Sequence, residues 1–387
     1  MVRRGWRITG RLLLPGVAIG ACLLAGGAAP LAGQGPKDTL VYVGTHTGAK
    51  SKGIYLFKLQ TDNLEVSQNI TLVPLGVAAE TPNPTHFAID FTRRLLFAVN
   101  ELDEFEGKPT GAISAFSIDS ATGTLKLINQ RASMGKRPCY ATLDKDSRNL
   151  LVANCGGGVA VLAIAADGRL GEARSAASQP ATCLTLDPEG RFAFVCDPAS
   201  DKVVRYRFDA ATGALTPAEP TFTSLKAGSG PSHLVFRPDG RFAYVGNERN
   251  STITAFTYDP STGSLTELQT VSTVPEYYDG PNSAAEVGVH PSGRYLYVSN
   301  KGHNSVVLFT IDAGTGTLTY IEEQGTGGKN PRHFGIEPSA KHLAIANQDS
   351  DTLLASRIDA GNGRLKPSGV FASAPSPVFV KFLPPLE

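Results

Sequence analysis

The sequence predicts an all-β fold, a seven-bladed β-propeller of four-stranded antiparallel blades closed by its own last strand. Three observations predict it. The first is a repeated phrase, an apolar strand, a Pro/Asp/Gly/Ser turn and a second apolar strand that ends in Asn, Asp or Gly. Its clearest copies are GPSHLVFRPDGRFAYVGNE from Gly230, AAEVGVHPSGRYLYVSNK from Ala284 and NPRHFGIEPSAKHLAIANQ from Asn330. The closing residues Gly44, Asn100, Asn154, Asp197, Asn247, Asn300 and Asn347 recur at intervals of roughly 50 residues, the period of propeller blades. The second is a set of Thr-Gly turns at Ala121-Thr122-Gly123, Ala211-Thr212-Gly213, Ser261-Thr262-Gly263 and Gly314-Thr315-Gly316, each placed to join a third strand to a fourth. The third is complementary ends. Residues 38–72 read as strands B, C and D with no A, and Ser376 to Leu383 reads as a lone A strand, so the two ends complete one blade and remove the free sheet edges.

Taken in chain order, residues 1–33 stand apart. Arg3, Arg4, Arg7 and Arg11 precede an apolar stretch from Leu12 to Leu24 and then small residues through Ala32, the layout of a secretory signal peptide. The Arg3-Arg4 pair lacks the rest of a twin-arginine pattern, and Ile19-Gly20-Ala21-Cys22 matches a lipoprotein box only loosely. Export to the periplasm or the medium is the expectation, with no stable membrane insertion once the leader is removed. The propeller then spans 38–387. A net charge of +1, with no basic run after the leader, argues against nucleic acid or a membrane surface as partner, so a small molecule is expected and the chain reads as a monomer.

Blade five can be followed strand by strand: A from His233 to Arg237, B from Phe242 to Gly246, C from Thr252 to Tyr258 and D from Leu265 to Val271. Alternating turns put the B–C and D–A loops on one face and the Pro-x-Gly and Thr-Gly turns on the other. Aligning the inner strands on the residue that opens the A–B turn gives, five positions earlier, His86, Tyr140, Cys183, His233, Glu286, His333 and Phe379. Six of these can hydrogen-bond or ionise on strands that are otherwise apolar, and they are expected to ring one mouth of the channel. Glu286 should lie between His233 and His333, a carboxylate that orients an imidazole as general base for water. Arg332, Lys301, Glu248 and Arg249 add charge on the same face, and Asn300 stands among the strand-end residues there, where Asn commonly caps a turn. A zinc site of three His and one Glu was weighed, but the sevenfold spread separates His86 from the rest and no HExxH or paired-Cys spacing is present. No metal and no cofactor are expected. Cys183 falls opposite Cys196 across the turn from Pro188 to Arg191, which predicts a disulfide between them in an exported protein.

These phrases, with VYVGTHTGAKSKGIYLFKL and PCYATLDKDSRNLLVANCGGGVAV, resemble the seven-bladed propeller lactonases, typified by the propeller form of 6-phosphogluconolactonase and related to carboxy-muconate cyclases. The resemblance runs from Leu40 to about Phe382. It implies a metal-free hydrolase that opens a sugar lactone at the polar channel mouth, and His233, Glu248, Glu286, Arg332 and His333 match residues of the family's motifs. On that reading His333, Glu286, His233 and Arg332 are catalytic, and Glu248, Arg249, Lys301, His86, Tyr140 and Asn300 bind substrate. Two departures stand out. Thr182 and Cys183 replace a His-rich phrase of the third full repeat, and Ser232 stands where some relatives carry Arg, which weakens a phosphate grip. A non-catalytic propeller that binds a small ligand or protein, and a muconate-type cyclase, are the alternatives.

Overall fold

A strand that is polar on neither face must be covered on both, and the B strands here are such strands: Leu95–Asn100, Asn149–Asn154, Phe192–Asp197 and Phe242–Asn247 are buried at every position. The computed structural model describes residues 39–61, 70–177 and 179–384 and meets this demand by radial packing. Seven four-stranded antiparallel sheets each bury both faces against their neighbours. The A strand is innermost and the D strand outermost, and seven apolar clusters fill the spaces between adjacent blades. The proposed leader lies outside the described residues.

Blade one is closed as the sequence predicts. Pro377–Leu383 pairs antiparallel with Thr39–Thr45, which pairs with Gly53–Thr61 and then Ile70–Glu80. The inner strands of blades two to seven are Pro84–Asp90, Pro138–Leu143, Cys183–Leu186, Pro231–Phe236, Ser283–Val289 and Pro331–Ile336. In blade five the observed strands, Pro231–Phe236, Phe242–Asn247, Thr252–Asp259 and Ser264–Ser272, fall within two residues of the predicted bounds. A short 3-10 turn, Gln348–Ser350, lies outside the repeat plan.

Adjacent blades are also tied by polar links that recur with the repeat. A B-strand tyrosine donates its hydroxyl to a carbonyl of the next blade's C–D turn: Tyr42 to Gly123 at 2.7 Å, Tyr244 to Gly316 at 3.0 Å and Tyr297 to Gly363 at 2.7 Å. The strand-end asparagines are fully buried; Asn100, Asn154, Asn300 and Asn347 fasten their B strands to the loop that leads from the preceding blade, whereas Asn247 bonds to Thr252 and Thr254 of its own blade. The Asn300 Nδ2 donates to the Thr273 carbonyl at 2.7 Å, and its Oδ1 accepts from Thr273 Oγ1 at 2.8 Å and Asn282 Nδ2 at 3.0 Å. Register corrects one marker. Thr45 pairs with Pro377 as Asn247 pairs with Pro231, so Thr45, not Gly44, is the first blade's equivalent of the asparagines.

The cysteines are also corrected. Cys139 and Cys155 form the disulfide, whereas Cys183 and Cys196 are free and buried, although they are register partners as expected. Facing positions alone do not make a bridge. Cys183 turns its sulfur to Thr185 Oγ1 at 3.4 Å inside the core shared with blade five, while Cys139 and Cys155 leave their strands at the loop face, where their sulfurs meet.

Asn300→Ala removes three hydrogen bonds and leaves the Thr273 carbonyl without its amide donor, while the Thr273 hydroxyl keeps the Ser251 carbonyl, at about 1 kcal/mol per bond. The expected outcome in chemical denaturation is a loss of about 2–4 kcal/mol with an unchanged m-value; an effect below about 0.5 kcal/mol would show that the loop tie is redundant.

Candidate active site

The site begins with a defect in the inner strands. In blades two, three, five and seven the register slips just after the opening proline, at Pro84/His86, Pro138/Tyr140, Pro231/His233 and Pro331/His333. Blades one and six carry similar shifts, whereas blade four pairs without one. Before the proline the chain is left-handed, with φ of 40° at Asn83, 50° at Arg137, 56° at Asn330, 44° at Ser376 and 62° at Gly230. A bulge of this kind inserts a residue and re-aims the side chains beside it. Here it sends the next residue toward the axis and leaves the extra one, such as Arg332 or Cys139, at the loop face.

The re-aimed side chains meet. His86 stacks on Tyr140 and on Phe379 with ring centroids 4.2 Å apart in both cases, and Phe379 lies 4.1 Å from His333. Glu286 Oε2 is 3.4 Å from His333 Nε2 and 3.5 Å from His233 Nδ1, and Tyr140 packs edge-on to His233 at 5.6 Å. Six of the seven expected positions therefore close a ring about the axis. The seventh, Cys183, holds the same register against Cys196 as His233 holds against Gly246, but its side chain is too short to close the ring. Tyr140 spans the gap, its hydroxyl bonded to Thr185 and Cys183.

Backbone donors set the imidazole tautomers. Val380 N–H donates to His333 Nδ1 and Ala141 N–H to His86 Nδ1, each at 3.3 Å, so neutral His333 carries its proton on Nε2, toward Glu286. The side chains of His233, Glu286 and His333 are only 11, 14 and 12 % exposed. Burial dominates their titration. It pushes Glu286 well above the usual carboxylate range, holds His233 down to about 4 and drives His333 and His86 well below an ordinary imidazole. The structure sets Glu286 between the two imidazoles as the sequence reading expects, and burial opposes the ionised form that the reading gives it.

Charge collects on the loop side of this ring. Arg332 Nη1 donates to His46 Nε2 at 3.0 Å, and its Nη2 lies 3.8 Å from Glu101 Oε2. Glu248 Oε1 accepts from Lys301 Nζ at 3.0 Å and Ser283 Oγ at 2.9 Å. Lys301 and Ser283, with the charge of Arg332 adding to them, hold the Glu248 carboxyl below its usual range against its burial; burial and Arg332 together push His46 down. Arg249 is exposed, its stem lying against Gly230. His46, Glu101 and Ser283 were not singled out from the sequence. Glu101 follows Asn100 as Glu248 follows Asn247, so the residue after each strand-end marker was the signal available. Asn300 belongs to the scaffold, with both ends of its amide engaged.

On the other side of the ring an axial cavity of about 790 Å³ runs to the A–B turns at Phe91, Pro188, Pro238 and Pro338. The six ring side chains line it, and the mouth residues Arg332, His46, Glu101, Glu248 and Lys301 do not. The ring is a partition between a charged mouth and a tunnel. Among the described residues no helix is long and apolar enough to cross a membrane, and no cluster of His, Cys, Asp and Glu is arranged to hold a metal ion.

Comparison with known proteins places this architecture. A family model described as lactonase, 7-bladed beta-propeller, matches residues 40–382. A 6-phosphogluconolactonase of Bacillus subtilis is 31% identical over 75% of this chain and 82% of its own length. Among solved structures, a periplasmic gluconolactonase of Pseudomonas aeruginosa superposes with a TM-score of 0.83 at 31% identity, covering 90% of this chain and all of that one. A putative 6-phosphogluconolactonase of Bacteroides fragilis gives 0.80 at 31% identity, over 89% and 98% of the two chains.

The direction of the Glu286 shift fixes a pH signature. With its folded pKa raised, the neutral carboxyl is retained at low pH and stability is lost as pH rises from about 4.5 toward the folded value, whereas Gln has no such dependence. Glu286→Gln should therefore match the wild type near pH 4 and gain on it in Tm as pH rises above about 4.5; parallel Tm curves would show that Glu286 is not held neutral.

Proposed function

Because the chain belongs to the seven-bladed β-propeller lactonase family, we propose that it hydrolyses an unphosphorylated sugar-type lactone at the charged mouth, as a monomer in the periplasm or outside the cell. The observation that carries this reading is the pairing of Arg332 and Glu248 groups on the loop face, above a ring that burial drives toward neutrality. Glu248 Oε2 is left free by the bonds at Oε1 and accepts a proton from water as that water attacks the lactone carbonyl. Arg332 donates to the oxyanion of the tetrahedral intermediate, held in position by His46 and Glu101. Collapse breaks the ring C–O bond, and the proton passes from Glu248 to the departing alkoxide oxygen. Lys301 keeps Glu248 ionised and, with Arg249, contacts sugar hydroxyls. The ring of His86, Tyr140, His233, Glu286 and His333 is the floor against which the substrate rests.

Two features favour the unphosphorylated substrate. Three mouth cations already face a carboxylate, Arg332 with Glu101, Lys301 with Glu248 and Arg137 with Asp103, which leaves Arg249 alone among the named mouth cations to meet a phosphate dianion. The Cys139–Cys155 disulfide and the Arg-rich leader fit an oxidising compartment outside the cytoplasm, as does the likeness to a periplasmic gluconolactonase. A second reading places the base in the ring, favoured by Glu286 Oε2 lying within 3.5 Å of two imidazoles.

Steady-state kinetics separate the two readings. On glucono-δ-lactone, Glu248→Gln and Arg332→Ala should each lower kcat/KM by about 100-fold or more and Glu286→Gln by less than about 10-fold; the reverse order would move the base into the ring. The unphosphorylated lactone should exceed its 6-phosphate in kcat/KM by about 10-fold or more, and a preference for the phosphate ester would contradict the substrate assignment. With Glu248 held below the usual carboxylate range and His46 below an ordinary imidazole, activity should fall only as pH drops through the carboxylate range, with no inflection near 6.5.

A further inference from the structure

The tunnel beneath the ring has a chemistry that lactone opening at the mouth does not use. One residue past each second ring neighbour, the inner strands present an apolar belt, with Ile89, Leu143, Leu186, Phe236, Val289 and Ile336 from blades two to seven. Among the described residues that line the tunnel only two are cations. Arg237, near the turn end, is satisfied by the Gly293 carbonyl at 2.8 Å, Asp239 at 2.8 Å and the Ala313 carbonyl at 3.2 Å. Lys381, two residues past Phe379 on the closing strand, has no hydrogen-bond or ion-pair partner. Its side chain is exposed to the tunnel space.

An ammonium group that projects into an enclosed cavity with no ion-pair partner is open to an anionic one from solution, and the lining offers both the apolar belt and the Thr142 and Thr185 hydroxyls. Glu286, at the closed end of the tunnel, is the carboxyl that acts on it, but burial opposes ionisation there, and the nearby imidazoles are held uncharged by the same burial. Lys381 is thus, among the described residues, the tunnel-lining cation without a salt-bridge partner, although burial also lowers its own pKa from that of a free lysine. Its volume of about 790 Å³ lies in the range of small-molecule sites, which pair mostly apolar walls with a few placed polar groups. An inorganic anion would answer the charge and leave the belt wet, and an uncharged apolar molecule would cover the belt and leave the charge.

We propose that the axial tunnel binds an amphipathic monocarboxylate, its carboxylate paired with the Lys381 ammonium and its hydrocarbon body laid along the apolar belt, with entry from the A–B turn face. This site is separate from the lactone mouth, being divided from it by the ring, and it does not depend on the catalytic reading.

Calorimetric titration of the mature protein with octanoate tests it. Octanoate should saturate one site per chain, while octanol and octylammonium, of matched length without the negative charge, should bind at least 10-fold more weakly. Lys381→Met should lower octanoate affinity at least 10-fold and Lys381→Arg should retain it. Should Lys381→Met fail to fold, the comparison of the three ligands on the wild type and Lys381→Arg decides alone. Absence of saturable octanoate binding at millimolar concentration, octanol binding as tightly as octanoate, or an unchanged affinity in a folded Lys381→Met would overturn the proposal.

Discussion

The bulge at the head of the inner strand is the constraint on which the functional geometry rests. An antiparallel strand in perfect register alternates its side chains between two neighbouring blades and has no reason to aim one at the propeller axis. The inserted residue breaks that alternation. Where it is present, His86, Tyr140, His233, Glu286, His333 and Phe379 converge; in blade four Cys183 keeps the equivalent register, but its short side chain stops at Thr185 and Tyr140. The same insertion supplies Arg332 to the mouth and Cys139 to the disulfide. One local distortion, repeated around the ring, makes the partition and furnishes the face above it.

That partition sorts the charges. Below the loop face, burial decides protonation, and the imidazoles and Glu286 are pushed toward their uncharged forms. At the mouth opposite charge decides, and against its burial Lys301 and Ser283 hold the Glu248 carboxyl below its usual range. Charged groups are what a developing oxyanion and an attacking water require, and on the proposed function the division of the axis assigns packing to the ring and chemistry to the mouth. The scaffold behind them is stiff for an independent reason, since fully buried asparagines and interblade tyrosine bonds hold loops to their blades.

Much of this was legible in the sequence because repetition is a long-range signal. Seven copies of one phrase identify the fold, the alternation of turns assigns the faces, and the lone A strand at Ser376 to Leu383 shows how the ring closes. The inner-strand alignment also brought Glu286 to His233 and His333, which the structure places within 3.5 Å. What could not be read was depth. A polar residue on a strand looks the same whether water or protein covers it, so the ring read as a wet mouth and Glu286 as a carboxylate. The cysteine pairing failed for a related reason. Register put Cys183 beside Cys196, but the direction of a sulfur depends on whether its strand is bulged, and the bulged strand is the one that carries Cys139. His46 and Glu101 were overlooked because they lie in the two loops farthest in sequence from Arg332, and only ring closure brings them to it.

A crystal structure of the protein soaked with gluconate, the product of opening the simplest sugar lactone, tests the central claim most directly. The account predicts the carboxylate on the loop side of the ring, within hydrogen-bond distance of Arg332, with the hydroxyls toward Glu248 and Lys301. Gluconate found instead in the tunnel, against Glu286 and its two imidazoles, would contradict it.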